Sequence, residues 1–251
     1  MNGVLVPLKK LPSQGCQYPE DMELYVTPLS IKDQIDMDRY GISDSDYFKI
    51  LLKGITLETQ DVSFGKNKLI HFDVQFLDIV RRLITFDTND KITIEGAPCR
   101  KCGHKINYTF KCDDLVFTDF NPDIFGKTFI LKEGTEDELE FTVSPLTTFE
   151  YTNMSREFRN FTDKNTMMSQ MYTAYLCAVI REIKGRKFQD LKDRNAFLTG
   201  YFDSICTNKD KKVLDAITDE TIVKLKPFSV WCDNCLQDTE VEVTPTSNFQ
   251  Q

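Results

Sequence analysis

Two Cys-x-x-Cys pairs, far apart in the sequence, constrain what this chain can fold into. The first pair is Cys99 and Cys102, followed by Gly103, and the second pair is Cys232 and Cys235 near the C-terminus. Two thiolates at this spacing can both point at one ion from a tight turn, and two such turns complete a tetrahedral Zn2+ site. The sequence therefore predicts a structural zinc site with these four cysteines as ligands.

Other uses of the four cysteines stay open at this point. A redox dithiol is disfavoured because both pairs lie between predicted strands, whereas a redox pair begins a helix in a thioredoxin-like unit. Four cysteines also ligate iron–sulfur clusters, which are the second choice of cofactor. One shared ion is the simplest arrangement, and two separate sites are the alternative. It also stays open whether Cys112 or His104, both close to the first pair in sequence, substitutes as a ligand.

The composition narrows the class of protein. The 251 residues carry a formal net charge of −8, so a basic face that neutralises nucleic-acid phosphates is not expected. The N-terminal residues lack a basic segment followed by a long apolar run, and no stretch approaches the roughly 18 apolar residues of a membrane span. We therefore expect neither a signal peptide nor a membrane anchor. In a reducing cytosol the eight cysteines are expected to remain free of disulfides.

Sequence signatures of common enzymes are missing. The chain contains no phosphate-binding glycine-rich loop, no Gly-x-Ser-x-Gly and no His-Glu-x-x-His. A zinc ion surrounded by four thiolates has no open position for water or substrate. The sequence therefore predicts a protein without enzymatic activity.

The predicted fold class is α+β, in four consecutive segments. An extended, proline-containing N-terminal arm precedes a first α+β unit that carries the first cysteine pair. A linker then leads to a second α+β unit, which carries the second pair and includes a long helix from Met168 to Ile183. The four segments are residues 1–20, 21–120, 121–138 and 139–251.

The second half of the chain repeats the pattern of the first. Leu139–Thr147 matches Met22–Ser30, including a Glu-x-x-Val pattern, a Pro-Leu pair and a terminal hydroxyl residue. Each half reads as a strand, helices, a strand, a Cys-x-x-Cys pair and a closing strand. A zinc ribbon joins two knuckles about an approximate two-fold axis, and a duplicated unit supplies two equivalent knuckles. We therefore predict two similar halves joined at a zinc-ribbon-like site.

Short motifs near the N-terminus resemble those of a known family. The segment Leu11-Pro12-Ser13-Gln14-Gly15, then Tyr18-Pro19, and then Val26-Thr27-Pro28-Leu29-Ser30 are similar to the opening of the baseplate hub proteins of T4-like bacteriophages. Asn248-Phe249 and the strand before it look similar to the tails of such proteins. This family includes a hub subunit and a hub assembly protein, and its members combine these motifs with helices and Cys-x-x-Cys knuckles.

The resemblance implies a non-enzymatic structural or assembly component of a contractile-tail baseplate, a late protein of the phage. Its partners would be other hub and tail proteins, in the host cytoplasm during assembly or in the baseplate of the virion tail. The arm and the Met22–Ser30 strand are the expected contact surfaces, because an extended segment can add to a partner's sheet edge. Self-association stays open, and neither nucleic acid nor a membrane is expected as a partner.

The alternative function is a zinc-ribbon adaptor in transcription or nucleic-acid handling. Arg100, Lys101 and Lys105 would form a small basic face at the first knuckle, although Asp233 and Asn234 at the second knuckle do not extend it. Salt-sensitive binding to DNA or RNA distinguishes this function from a scaffold role.

Overall fold

The computed structural model describes residues 3–37, 39, 41–86, 91–111, 114–118, 120–158, 164–204, 207–223 and 225–242. Cys112, one of the alternative metal ligands, and Asn248-Phe249 lie outside the described residues. The described chain is a mixture of helices and small antiparallel sheets, which confirms the predicted α+β class.

The first part of the chain builds a three-stranded antiparallel sheet in the order β1-β2-β3, with helices before and after β3. In β2, Leu24 and Val26 are buried and alternate with the more exposed Glu23 and Tyr25, as expected for a strand with one face on the core. The elements are β1 (Val4–Leu5), β2 (Glu23–Val26), α1 (Ile31–Met37), α2 (Asp44–Lys53), β3 (Ile55–Glu58) and α3 (His71–Phe86).

The second part contains another three-stranded antiparallel sheet, in the order β6-β7-β8. Its core is formed by β7 together with buried faces of the helices that follow. The elements are β6 (Thr128–Leu131), β7 (Leu139–Val143), α4 (Thr148–Phe158), α5 (Lys164–Val179), β8 (Ile180–Ile183), α6 (Leu191–Asp203) and α7 (Asn208–Thr221).

Two antiparallel hairpins complete the described fold. The first consists of β4 (Lys91–Pro98) and β5 (Lys105–Lys111), and the second consists of β9 (Phe228–Cys232) and β10 (Gln237–Val241). Both hairpins contribute to one small core with α3, in which the Phe110 and Phe228 rings lie 4.5 Å apart. Packing against α3 matters because an isolated two-stranded hairpin is marginally stable in water.

A buried arginine fixes α3 against the elements before it. The Arg81 guanidinium donates hydrogen bonds to the backbone oxygens of Thr27 (2.9 Å) and Ile50 (2.8 Å), and it pairs with Asp33 at 3.4 Å. A side chain at Gly54 would clash, since a Cβ there would lie 2.2 Å from the guanidinium carbon. Gly54 thus both ends α2 and makes room for Arg81.

The N-terminal segment does not form the extended arm that the sequence predicts. Strand β1 pairs with β2, and Leu11, Ser13 and Tyr18 are buried. The Asp73 carboxylate in the first turn of α3 accepts hydrogen bonds from the Ser13 backbone N–H (2.8 Å), the Ser13 hydroxyl and the Tyr18 hydroxyl (2.6 Å). The described part of the segment therefore belongs to the first core: Leu11 and Tyr18 pack in it, and the donors of Ser13 and Tyr18 satisfy the buried Asp73 carboxylate.

Two further boundaries differ from the prediction. The predicted linker 121–138 contains β6, which pairs along its length with β7. The predicted helix ending at Ile183 stops at Val179, and Ile180–Ile183 is an edge strand that pairs with β7. Ile180 and Ile183 are buried in this strand, and their separation of three residues also fits one face of a helix, so spacing alone does not separate the two.

Asp73 gives the stability of the protein a pH dependence. Burial raises the pKa of this carboxyl group to about 6, although the hydrogen bonds from Ser13 and Tyr18 oppose the shift. The folded state then binds the proton more tightly than the unfolded chain, whose aspartate pKa is about 3.9. Its contribution to the free energy of unfolding therefore falls as pH rises from about 4 to about 6.

We expect Asp73→Asn to remove this decrease, because the side chain no longer ionises. The measurement is urea unfolding of both proteins from pH 4 to pH 7. The difference in unfolding free energy between them should change across this interval and level off above it. A difference that is constant with pH would contradict the assignment to Asp73.

Candidate metal centre

Both Cys-x-x-Cys pairs lie in the turns of the two hairpins. In the first turn the Gly103 N–H donates to the Cys99 carbonyl oxygen (2.8 Å), and in the second the Leu236 N–H donates to the Cys232 carbonyl oxygen (2.9 Å). Gly103 and Leu236 occupy the same place in the two turns and both have positive φ angles, 74° and 54°. The two turns therefore present their sulfurs in the same local geometry.

The structure brings the four predicted ligands together. The Sγ atoms of Cys99, Cys102, Cys232 and Cys235 all lie within 4.8 Å of one another. The Cys99–Cys235 and Cys102–Cys232 sulfur distances are 3.8 Å and 3.7 Å. A tetrahedron with metal–sulfur bonds of about 2.3 Å has edges of about 3.8 Å. The arrangement can therefore hold one ion between the two hairpins.

The surroundings of the sulfurs favour thiolates at some positions. Cys99 and Cys232 are buried, Cys235 is half-buried and Cys102 is exposed. The Lys101 backbone N–H lies 3.4 Å from the Cys99 sulfur. In the second knuckle, the Asn234 side-chain amide lies 3.5 Å from the Cys102 sulfur. N–H donors at these distances stabilise a negatively charged sulfur.

The pKa values of the thiols shift in different directions. Burial disfavours the thiolate of Cys99, but backbone hydrogen bonds from Cys102 and Lys101 outweigh it and lower its pKa to about 6. The hydrogen bond from Asn234 lowers the pKa of Cys102. Burial and the neighbouring sulfurs raise the pKa of Cys235 to about 12. Four thiols facing one another resist full ionisation at neutral pH, and a bound cation would favour the charged form of all four.

Other candidate ligands lie apart from this cluster. The His104 side chain is exposed and is not among the four clustered ligands, while its carbonyl oxygen accepts a hydrogen bond from the Cys99 N–H at 2.8 Å. Cys16 and Cys177 are also outside the cluster. Across the residues that the structure describes, the four cysteines are the one group of His, Cys, Asp or Glu close enough to hold an ion.

The basic residues of the first knuckle have acidic and polar partners that sequence reasoning did not identify. Arg100 forms ion pairs with Glu240, at 2.9 Å, and with Glu242. The Lys101 ammonium group lies 2.9 Å from the Gln237 side-chain oxygen. Gln237 and Glu240 lie on β10 and Glu242 follows it directly, so their proximity to the first knuckle depends on the two knuckles meeting. The metal pattern was thus the signal that could have located them.

Comparison with family models, with curated proteins and with solved structures gave no match. Among the helices described, none has the length and apolar character needed to cross a membrane.

Loss of one ligand should release the metal and destabilise the protein. We expect Cys232→Ser to lose bound metal and to unfold at a lower temperature, because binding at a structural site contributes directly to folding. Metal content by mass spectrometry and thermal unfolding measure the two effects. Cys16→Ser is the matched control, since Cys16 is half-buried and lies outside the cluster. An unchanged melting temperature for Cys232→Ser would contradict a structural ion at this site.

The two knuckle turns predict stability changes of opposite sign. Leu236 is 68% exposed and holds a positive φ, so Leu236→Gly relieves backbone strain while losing little packing. We expect a gain of about 0.5–1 kcal/mol in unfolding free energy. Gly103→Ala should cost about 1 kcal/mol through strain alone, since no atom lies within 4 Å of the added Cβ. Chemical unfolding of the metal-loaded proteins checks both, and a destabilised Leu236→Gly protein would contradict the equivalence of the turns.

Proposed function

We propose that the protein is a non-enzymatic structural or assembly component of a contractile phage tail baseplate hub. In this proposal, a structural zinc ion closes a scaffold made of two similar halves. The observation that carries the scaffold role is the cluster of four cysteine sulfurs, two from a hairpin in the middle of the chain and two from a hairpin near its C-terminus. A closed set of four thiolates holds elements together and leaves no position at the metal for substrate.

Matching backbone contacts support the two similar halves. In the first half, Val26 pairs with Ile55, and the Thr27 N–H donates to the Gly54 carbonyl oxygen at 2.8 Å. In the second half, Val143 pairs with Ile180, and the Ser144 N–H donates to the Val179 carbonyl oxygen, also at 2.8 Å. In both cases two helices separate the paired strands in sequence, and a further helix or two precede a cysteine hairpin.

The start of each helical pair provides a second match. Ser30 and Asp33 exchange two hydrogen bonds, from each backbone N–H to the other side chain, which is a capping box. Thr147 and Glu150 make the same exchange at the start of α4. Each of these carboxylates also pairs with an arginine: Asp33 with Arg81, and Glu150 with Arg181. Ser30 with Asp33 and Thr147 with Glu150 therefore have the same structural role, which supports the match in their sequence pattern.

Zinc is the proposed ion because of the ligand set and its spacing. Four thiolates in a tetrahedron are a common structural zinc site. In an iron–sulfur cluster the thiolates bind different irons of a larger inorganic core, whereas distances of 3.7–3.8 Å between sulfurs from opposite knuckles fit ligands on a single ion.

The buried carboxylates also fit a scaffold. Asp73 holds the N-terminal segment, Asp33 pairs with Arg81, and the Asp78 carboxylate accepts hydrogen bonds from Tyr47 and Arg82. Each of these carboxylates connects separate parts of the chain or stabilises a helix. Such partners account for their burial without a catalytic role.

The baseplate assignment rests on the motifs that resemble the hub family. Three of them have defined places in this fold: Ser13 and Tyr18 donate hydrogen bonds to Asp73, and Ser30 caps the start of α1 together with Asp33. Substitution at these positions would disturb the first core, which gives a physical reason for a family to retain the residues. The partners expected from the resemblance are other hub and tail proteins.

One observation weakens the nucleic-acid alternative. The Arg100 guanidinium, which would contact phosphate, is paired with Glu240 and Glu242, and their carboxylates would repel a phosphate backbone. Binding to DNA or RNA at low salt, lost with a steep salt dependence, would nevertheless favour the adaptor function over the scaffold.

Co-purification tests the baseplate proposal. We expect the tagged protein, produced in cells that also express the phage's tail genes, to recover hub or tail proteins in a fixed ratio. The tag alone is the control. Presence in finished tails would identify a hub subunit, and presence only in assembly intermediates would identify an assembly factor. Recovery of no tail protein by a folded, metal-loaded sample would contradict the proposal.

A further inference from the structure

A large apolar cavity, partly open to solvent, lies between α3 and the helices α4, α5 and α7, and its volume is about 810 Å3. Aromatic, aliphatic and methionine side chains line it, among them Phe72, Phe76, Leu146, Met154 and Met171. Protein interiors are close-packed, and a large apolar surface that water can reach marks an interaction site. The cavity therefore calls for an occupant that covers its apolar wall.

The last residue that the structure describes lies at the edge of this cavity. Glu242, which directly follows β10, lines the cavity together with Lys226 and Pro227, which precede β9, and all three are exposed. Val241 pairs with Phe228 at this end of the hairpin, whereas the second knuckle is at the opposite end. Strand β10 therefore runs from the knuckle towards the cavity and brings the chain to its opening.

The sequence beyond Glu242 has the length and the composition to fill the cavity. Nine residues follow, 243–251, and none of them is charged, whereas 28% of the residues in the whole chain are. Val243, Pro245 and Phe249 are apolar. Nine extended residues span up to about 30 Å, and the 16-residue helix α3 is roughly 24 Å long. The segment can therefore reach any part of the cavity along this helix.

The charge of the cavity wall suits such a segment. Lys226 and Glu242 are the charged residues of the described lining, and both lie at the opening. Burial lowers the pKa of His71 to about 3, so this ring adds no charge at neutral pH. An uncharged segment enters a neutral apolar wall without the desolvation cost of a charged side chain. The opening to solvent lets water hydrogen-bond the backbone groups of a bound peptide.

We propose that residues 243–251 fold back into this cavity of their own chain, with Phe249 as the main anchor. Phe249 is the one aromatic residue of the segment, and aromatic side chains gain most from burial. Because the segment is tethered at the opening, its effective concentration there is in the millimolar range, and modest contacts are enough to hold it. The site is separate from the four cysteines and stands whether or not the protein belongs to a baseplate.

Photocrosslinking in the full chain tests where the segment lies. With Phe249→p-benzoylphenylalanine, irradiation should link residue 249 to lining residues of α3, α5 or α7, which mass spectrometry of the digested protein identifies. Val62→p-benzoylphenylalanine is the control, since Val62 is 99% exposed and lies outside the cavity lining. The proposal is overturned if residue 249 forms no link to the lining. Links to the lining that form only between two chains would also overturn it, and would assign the cavity to a second copy.

Hydrogen exchange measures whether the segment and the cavity depend on each other. We expect Phe249→Ser to speed exchange of the segment's amides about tenfold or more, as the loss of one buried aromatic side chain implies. Thr218→Trp, which fills the cavity from α7, should have the same effect. Val62→Ser, an apolar-to-serine change at an exposed position, is the matched control and should exchange as the unmodified protein does.

Thermal unfolding of each variant establishes that it is folded before exchange is measured. Equal exchange of the segment in Phe249→Ser and Val62→Ser would contradict the proposal, and so would a folded Thr218→Trp protein in which the segment stays protected. Exchange of the segment at the rate of an unstructured peptide in the unmodified protein would overturn it outright.

Discussion

The meeting of four cysteine sulfurs is the constraint on which the rest of this structure depends. Each knuckle is the turn of a two-stranded hairpin, and such a hairpin has little stability of its own. Here the hairpins share a small core with α3, and Cys99 and Cys235 bring distant parts of the chain within 3.8 Å. Closing so long a loop costs conformational entropy that a small apolar core offsets only in part. An ion bound at the sulfurs would supply the remaining free energy, so that metal binding and folding become one equilibrium.

In the proposed duplication, each half contains an ion pair between a carboxylate near the start of a helix and an arginine, but the arginine comes from a different element in each half. Asp33 and Glu150 both begin a helix and both pair with an arginine, but Arg81 comes from α3 whereas Arg181 comes from β8. A partly buried carboxylate needs a positive partner, and any nearby element can provide it. The backbone pattern around the carboxylate is more restricted, because the capping box requires a hydroxyl residue three positions earlier. This explains why the sequence match is clear at Ser30 and Thr147 and is absent at the arginines.

Features that a recognisable residue pattern encodes could be predicted from the sequence, and contacts between distant segments without such a pattern could not. The cysteine spacing indicated the four sulfurs that meet, and the alternating pattern of Met22–Ser30 indicated the strand that the structure has at Glu23–Val26. The N-terminal segment was expected to be extended because of its prolines and glycine, which determine only the local backbone conformation. Its fold depends on Asp73, about sixty residues later, whose carboxylate requires hydrogen-bond donors once it is buried. The strand Ile180–Ile183 was missed for a similar reason, since its pairing with β7 outweighs a spacing that also fits a helix.

The apolar cavity and the cysteine cluster have a physical relationship in this architecture. The cavity is lined by α3, which also carries the core of the two hairpins, and by α4, α5 and α7. Incomplete packing between such elements costs stability, since every lining atom loses contacts that a filled core would provide. An ion bound at the four cysteines, as proposed, would offset part of that cost. Helix α3 thus contributes both to the core of the two hairpins and to the incompletely packed contact with α4, α5 and α7.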